Sequence, residues 1–179
     1  MFTNPFENLK NFEIRDDMII VDLGAGTGFY SILSAHMVPK GKVYAVDINQ
    51  DFLKTIRHKA KDAYLSNLEC FHGDIEKKHG TKLGANIADR VIASNILFQI
   101  EDKHNFLEEA YRILKPGGKL LLIDPQMDSL VLGKHKHRVI KRDDAHKMLE
   151  QKGLVWERDI LAGNHHYGMI FIKDIKENK

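Results

Sequence analysis

The chain has one cysteine, Cys70, in 179 residues. A single thiol excludes an internal disulfide and a cysteine-based zinc site. An excess of one charge is lacking too: 27 Lys and Arg against 25 Asp and Glu leave a formal +2 with the ten histidines counted neutral. That near-neutral balance gives no argument for a nucleic-acid partner. No apolar run approaches the roughly 20 residues needed to span a bilayer. The opening stretch MFTNPFENLKNFEIRDD has neither a positively charged start nor an apolar signal core, so a cytoplasmic protein is expected. Repeats and low-complexity tracts are missing as well. What is present, 43% hydrophobic and 29% charged residues, suits a single domain over 1–179 with a proper core.

Short apolar runs alternate with longer stretches of helical spacing. MIIVDL (18–23), KVYAVD (42–47), LECFH (68–72), DRVIAS (89–94) and KLLLID (119–124) read as strands. Between them, FYSILSAHM (29–37) places Phe29, Ile32, Leu33 and His36 or Met37 at helical spacing, ended by Pro39 and Gly41. NQDFLKTIRHKAKDAYLSN (49–67) sets Phe52, Ile56, Ala60 and Ala63 or Tyr64 on one stripe, with Asn49 as N-cap. A further helix at 102–114 stops at KPGG (115–118), because Pro116 cannot continue it and the glycines permit a left-handed turn. Such alternation with continuously apolar strands predicts a doubly wound, mostly parallel α/β sheet with helices on both faces. After a helix at about 143–152, LVWERDIL (154–161) and YGMIFIKDI (167–175) are joined by only AGNHH. Five residues are too few for a parallel crossover, so 154–175 is expected to be an antiparallel hairpin.

Between the first strand and its helix the chain reads Gly24-Ala25-Gly26-Thr27-Gly28. Glycines there let a ligand approach the backbone. The dinucleotide fingerprint G-x-G-x-x-G would need glycine at 29, where Phe29 stands. Asp22, at the strand end, can bind an ammonium and would repel a pyrophosphate. Asp47 ends the second strand, where a carboxylate can accept both hydroxyls of a ribose. Asp74 in GDIE (73–76) can accept the exocyclic amine of an adenine, with Ile75 packed on the ring.

VDLGAGTGFY, VYAVDIN, GDIE, DRVIASNILFQIED and ILKPGGKLLLID stand in the order and spacing found in class I S-adenosylmethionine-dependent methyltransferases. The chain resembles that family over about 18–124, and most closely its branch of ubiquinone/menaquinone-biosynthesis and related small-molecule methyltransferases. The resemblance implies a seven-stranded sheet whose last strand is antiparallel and inserted between strands 5 and 6. It implies S-adenosylmethionine as methyl donor and S-adenosylhomocysteine as product. Asp22 and the loop of Gly24, Ala25, Gly26, Gly28 and Phe29 would contact the methionine portion. Asp47 would hold the ribose and Ile48 flank the adenine; Asp74 and Ile75 would frame its other side. Ser94 and Asn95 would line the sulfonium region.

Methyl transfer from a sulfonium is an in-line displacement, so catalysis is largely orientation and exclusion of water. A base is needed only if the nucleophile must lose a proton. Two segments fall at the carboxyl ends of the strands: Asp124 with the expected active-site loop 125–142, and the hairpin turn AGNHHYG (162–168). His166 and His165 are therefore candidates for a general base, and Asp124 is a further catalytic candidate. The basic run KHKHR (134–138) reads as a solvated loop face, with a cover for an anionic acceptor as the alternative. His135, His137, His165 and His166 lack the carboxylate or cysteine pattern of a metal site, and no metal is expected. SNILF after the fourth strand departs from the asparagine-proline-proline-aromatic motif of amino-group methyltransferases. The expected reaction is methylation of a small-molecule acceptor by a monomer or homodimer. An RNA or protein acceptor, a nicotinamide-dependent oxidoreductase and an inactive cofactor-binding protein are the alternatives.

Overall fold

The computed structural model describes residues 4–126 and 138–175. The strands are β1 (Ile19–Leu23), β2 (Lys42–Asp47), β3 (Leu68–His72), β4 (Ala88–Ser94), β5 (Leu114–Pro125), β6 (Leu154–Ile160) and β7 (His166–Lys173). The helices are α1 (Pro5–Lys10), α2 (Phe29–Met37), α3 (Gln50–Asp62), α4 (Lys103–Ile113) and α5 (Arg142–Gln151). One seven-stranded sheet runs in the order β3-β2-β1-β4-β5-β7-β6. The first five strands are mutually parallel, and β7 lies antiparallel between β5 and β6. The expected doubly wound sheet and C-terminal hairpin are therefore both present, with the inserted antiparallel strand in its expected place.

Alternation along the strands divides the core into two faces. Val21, Leu23, Val91, Leu120, Leu122 and Phe171 join one apolar cluster, with Ala145 and Leu149 of α5. Ile20, Ile92, Leu121, Ile123 and Ile170 join the other, with Leu9 and Phe12 from the N-terminal segment and Tyr30 and Ala35 of α2. Strand order reverses between β1 and β4. At such a reversal the crossover helices leave to opposite faces and open a crevice at the carboxyl ends.

Several local expectations need correction. The buried face of α2 is Tyr30, Ser31, Ser34 and Ala35; of the expected stripe Leu33 and Met37 pack against the core partly buried, Ile32 is half-buried, and Phe29 and His36 are exposed. Small side chains bring this helix close to the sheet, and Ser31 hydrogen-bonds a strand residue. In α3 the buried residues are Leu53, Ile56 and Ala60. The helix ends at Asp62, five residues earlier than expected, and Tyr64 enters a left-handed turn at φ 55° that leaves it 95% exposed. Asn49 does cap α3, accepting a hydrogen bond from Asp51 N. KPGG lies inside β5 rather than before it. Leu114 already pairs with Ala88, while Lys119 pairs with Arg90, so residues 115–118 bulge opposite Asp89. Lys115 donates to that carboxylate at 2.8 Å. α1 was not expected, although Asn4 accepts from Phe6 N and Glu7 N and Pro5 occupies the first turn.

Candidate active site

The glycine loop leaves β1 and turns into α2 at the crevice. Gly24 N and Ala25 N both donate to Val46 O of β2, at 2.9 and 3.1 Å. Gly26 N donates to Asp47 Oδ2 at 2.8 Å, and Asn49 N to Asp47 Oδ1 at 2.7 Å. The β2 carboxylate thus holds the loop from one side and starts α3 on the other. Gly28 caps α2 in the left-handed region, φ 82°, which a side chain would resist. Pro5, Asp22, Gly24–Thr27, Phe29, Tyr30, Ser94, Asn95 and Gln99 surround a cleft of about 400 Å³.

Asp22 forms the buried floor of this cleft. Ser31 Oγ donates to its Oδ2 at 2.5 Å. Burial pushes its pKa up to about 6, the Ser31 hydrogen bond opposes that shift, and Asp47 adds repulsion. Removing a carboxylate from water costs free energy unless a cation or donors compensate. An ammonium in the cleft would supply that compensation. Tyr30 Oη accepts a hydrogen bond from Asn8 Nδ2 at 2.8 Å, which ties α1 over the cleft. Burial raises the Tyr30 pKa.

Beyond Asp47 the rim is apolar and open. Ile48 is 63% exposed and Phe29 67% exposed, with Lys59 Nζ over the Phe29 ring. Ile75 is buried in the core cluster, whereas Asp74 keeps part of its surface. Asp74 Oδ1 accepts from Glu76 N, and Oδ2 pairs with Lys77 at 3.1 Å. Glu76 Oε2 in turn accepts from Glu101 N and Asp102 N, fastening the β3 and β4 loops together. The sequence-derived residues Asp22, Gly24, Ala25, Gly26, Phe29, Ser94 and Asn95 come together in one cleft. Asp47 and Ile48 adjoin it through Gly26, and Asp74 and Ile75 follow β3, beyond β2.

The three candidate proton-transfer residues do not form one cluster. Asp124 is 0% exposed and accepts from Leu97 N and Phe98 N at 3.2 and 3.0 Å. Burial pushes its pKa up to about 7, against those backbone hydrogen bonds. Its place in β5, between Ile123 and Pro125, sets it on the Leu122 face of the sheet, whereas His166 of β7 shares the Ile170 face. His166 Nε2 lies 2.8 Å from Asn95 Oδ1. Gln126 flanks the turn, its N donating to His165 O at 2.8 Å and its Nε2 to His166 O at 3.1 Å. His166 also borders a second cavity of about 630 Å³, lined by Ile140, Arg142, Ile160, Leu161 and Ala162 among others. Arg142 is held there by both carboxylate oxygens of Asp159, at 2.7 and 2.9 Å.

Most of the expected loop 125–142 and of the run 134–138, including His135 and His137, lies outside the described residues. Sequence reasoning missed Pro5, Asn8, Tyr30, Gln99 and Gln126. The Asn4-Pro5 cap was a legible sign of α1; the contacts of Tyr30 and Gln126 leave no local pattern. Among the described residues no group of three or more His, Cys, Asp or Glu is arranged to hold a metal, and no helix is long and apolar enough to cross a membrane.

The geometry has known counterparts. The demethylmenaquinone methyltransferase of Listeria welshimeri is 32% identical over 125 residues, 69% of this chain and 52% of the relative. That of Oceanobacillus iheyensis is 30% identical over 126 residues, covering 70% and 52%. The chain thus spans about half the length of the curated relatives it matches. A SAM-dependent methyltransferase from Aquifex aeolicus superposes with a TM-score of 0.86 at 26% identity, over 96% of this chain and 90% of that one. The cyclase SpnF shares the fold alone, at a TM-score of 0.81 and 13% identity over 96% and 80%. That a cyclase has this architecture shows why chemistry must be argued from the site. The family model described as "Methyltransferase domain" matches residues 14–172, and the chain belongs to that family.

Proposed function

We propose that the protein transfers a methyl group from S-adenosylmethionine to a small-molecule acceptor. The observation that carries this reading is the cleft at the sheet reversal, where a buried, desolvated Asp22 meets the open backbone of Gly24–Thr27. A phosphate-bearing cofactor would place negative charge beside that carboxylate. An amino acid end instead offers Asp22 an ammonium. Asp47 sits where a ribose diol can be accepted, and exposed Ile48 and Phe29 offer apolar cover for a flat ring. Asp74, partly exposed after β3, would meet its far side with Ile75 packed in the core behind, and Ser94 and Asn95 line the end of the cleft toward β4.

When bound, the cofactor supplies an activated methyl on a sulfonium. The chain's own work is to orient the two reactants and exclude water. The family's small-molecule branch, represented by the demethylmenaquinone methyltransferases, supports a small acceptor. So does the second cavity, about 630 Å³ and largely apolar at Ile140, Ile160, Leu161 and Ala162. That size matches a drug-sized molecule. Asp124, shut beneath Leu97 and Phe98, serves in this reading to hold the β4–α4 loop in place.

Calorimetry tests the reading directly. Saturable binding of S-adenosylmethionine and S-adenosylhomocysteine is expected, with none of NAD. No heat at millimolar S-adenosylmethionine would refute it, and binding of NAD instead would point to redox chemistry.

A further inference from the structure

We infer that Asn95 holds His166 in a single tautomer, leaving Nδ1 to take the proton of a hydroxyl acceptor seated in the 630 Å³ cavity. This rests on the methyl-transfer reading above and adds the proton step to it.

The tautomer follows from a short hydrogen-bond chain. Asn95 Nδ2 donates to Ser94 Oγ at 3.2 Å, so its Oδ1 is the atom turned toward His166. A carboxamide oxygen only accepts. His166 Nε2, 2.8 Å away, must therefore carry the hydrogen and donate it. A neutral imidazole has one N–H, so Nδ1 keeps its lone pair. That Nδ1 is buried and has no hydrogen-bond partner among the described residues. His166 as a whole is 8% exposed. Buried acceptors without partners are rare enough to call for a ligand or a function.

The surroundings disfavour the charged ring. Burial lowers the His166 pKa, and the neighbouring His165 lowers it further. Asp124, the nearest buried carboxylate in sequence register, belongs to the other face of the sheet and is engaged by Leu97 N and Phe98 N. A neutral, weakly basic imidazole is suited to removing a proton as a bond forms. Position matters as much as basicity: Asn95 lines the donor cleft, His166 lines the second cavity, and their hydrogen bond joins the two.

This selects the acceptor class. A free amine attacks without prior loss of a proton, and an acidic thiol is already partly ionised. A weakly acidic hydroxyl must shed its proton during attack. The oxygen bonds to the methyl carbon, the carbon–sulfur bond breaks, and its electron pair stays on sulfur. The hydroxyl proton passes to Nδ1, giving an imidazolium that later releases it to solvent. The apolar lining of Ile140, Ile160, Leu161 and Ala162 fits an apolar body behind that hydroxyl.

The test uses the full chain labelled with 15N-histidine, two-bond 1H–15N spectra near neutral pH, and phenol as the acceptor probe beside S-adenosylhomocysteine. His166→Gln identifies the resonance. The Nε2–H tautomer is expected, with phenol shifting Nδ1. Asn95→Gly removes the amide, and glycine suits the φ of 54° at this position; it should give mixed tautomers. Asn95→Asp, which also tolerates that backbone, should raise the His166 pKa by about one to three units. An Nδ1–H tautomer in the unaltered protein would overturn the inference, as would an Nδ1 resonance that phenol leaves in place. Calorimetry with S-adenosylhomocysteine separates the two levels. No binding sinks the methyl-transfer reading; binding with the Nδ1–H tautomer sinks only the role of His166.

Discussion

Glycine-to-alanine changes at two positions of one loop should produce opposite phenotypes. Gly26 and Gly28 are both in the left-handed region, at φ 53° and 82°. Placing alanine there costs roughly 1–2 kcal/mol in backbone strain at either site. The space around them differs. A Cβ on Gly26 would meet nothing within 4 Å, because that residue borders the cleft. A Cβ on Gly28 would lie 2.6 Å from Ile56 Cγ1, a side chain buried midway along α3. Relieving that overlap adds about 1–3 kcal/mol of overpacking. Gly28→Ala should therefore lose about 2–5 kcal/mol of stability in all, while Gly26→Ala loses no more than about 2. Cofactor affinity should follow the reverse order, since the methyl on residue 26 projects where the ligand must approach. Urea unfolding gives the first quantity and calorimetry with S-adenosylmethionine the second. Equal destabilisation by the two variants would refute the packing argument. Unchanged affinity in Gly26→Ala would refute the placement of the cofactor against this loop.

Other consequences can be measured with the same two assays. Burial pushes the Asp124 pKa up to about 7 from the ordinary 3.8, so between these values the native state keeps a proton that the unfolded chain has released. Its stabilising contribution is complete below about pH 4 and is lost as pH rises through 7, by roughly 4 kcal/mol at the outside. Asp22 acts in the same sense up to about 6. Asp124→Asn should flatten the fall in urea midpoint between pH 5 and 7.5; an unchanged slope would count against the raised value. Glu109 behaves oppositely. Burial would raise its pKa, but hydrogen bonds from Arg112 and Thr81 prevail and hold it down to about 2. Its contribution is present above about 4.5 and lost as pH falls toward 2. Glu109→Ala strips the partner from Arg112 and from Thr81 Oγ1 and should cost about 3–5 kcal/mol in urea unfolding; a loss below 1 would mean the network is solvated. Asp47→Ala removes a carboxylate that accepts from Gly26 N and Asn49 N. A charged hydrogen bond from Asp47 to a ribose hydroxyl would contribute about 1.5–3 kcal/mol, so its loss should lower S-adenosylmethionine affinity at least tenfold. Full retention of affinity would displace the ribose from this site.

What could be read from the sequence, and what could not, divides along the range of the interactions involved. The five parallel strands are continuous apolar runs, and Gly or Pro marks several of their ends, so each announces itself within a few residues. The hairpin was legible because five linking residues leave no other connection. The glycine loop and Asp22, Asp47 and Ser94 were legible for a related reason: strand ends at the sheet reversal place them at one crevice whatever the side chains do. Helix faces were harder. Apolar spacing in α2 pointed to Phe29 as well as Leu33, but the sheet accepts Ser31, Ser34 and Ala35, whose small side chains allow close approach, with Leu33 at the margin. Phe29 is then left at the rim, where an apolar ligand would cover it. The proton-transfer candidates show the limit most clearly. Asp124 and His166, both candidates from the sequence, lie at register-neighbouring positions of adjacent strands. Pleating puts them on opposite faces, so Asp124 joins the β4–α4 loop, and His166 meets Asn95 across 71 positions of chain. That one-residue alternation, invisible in composition or spacing, separates a carboxylate that braces a loop from an imidazole that lines the second cavity and bonds Asn95 of the first.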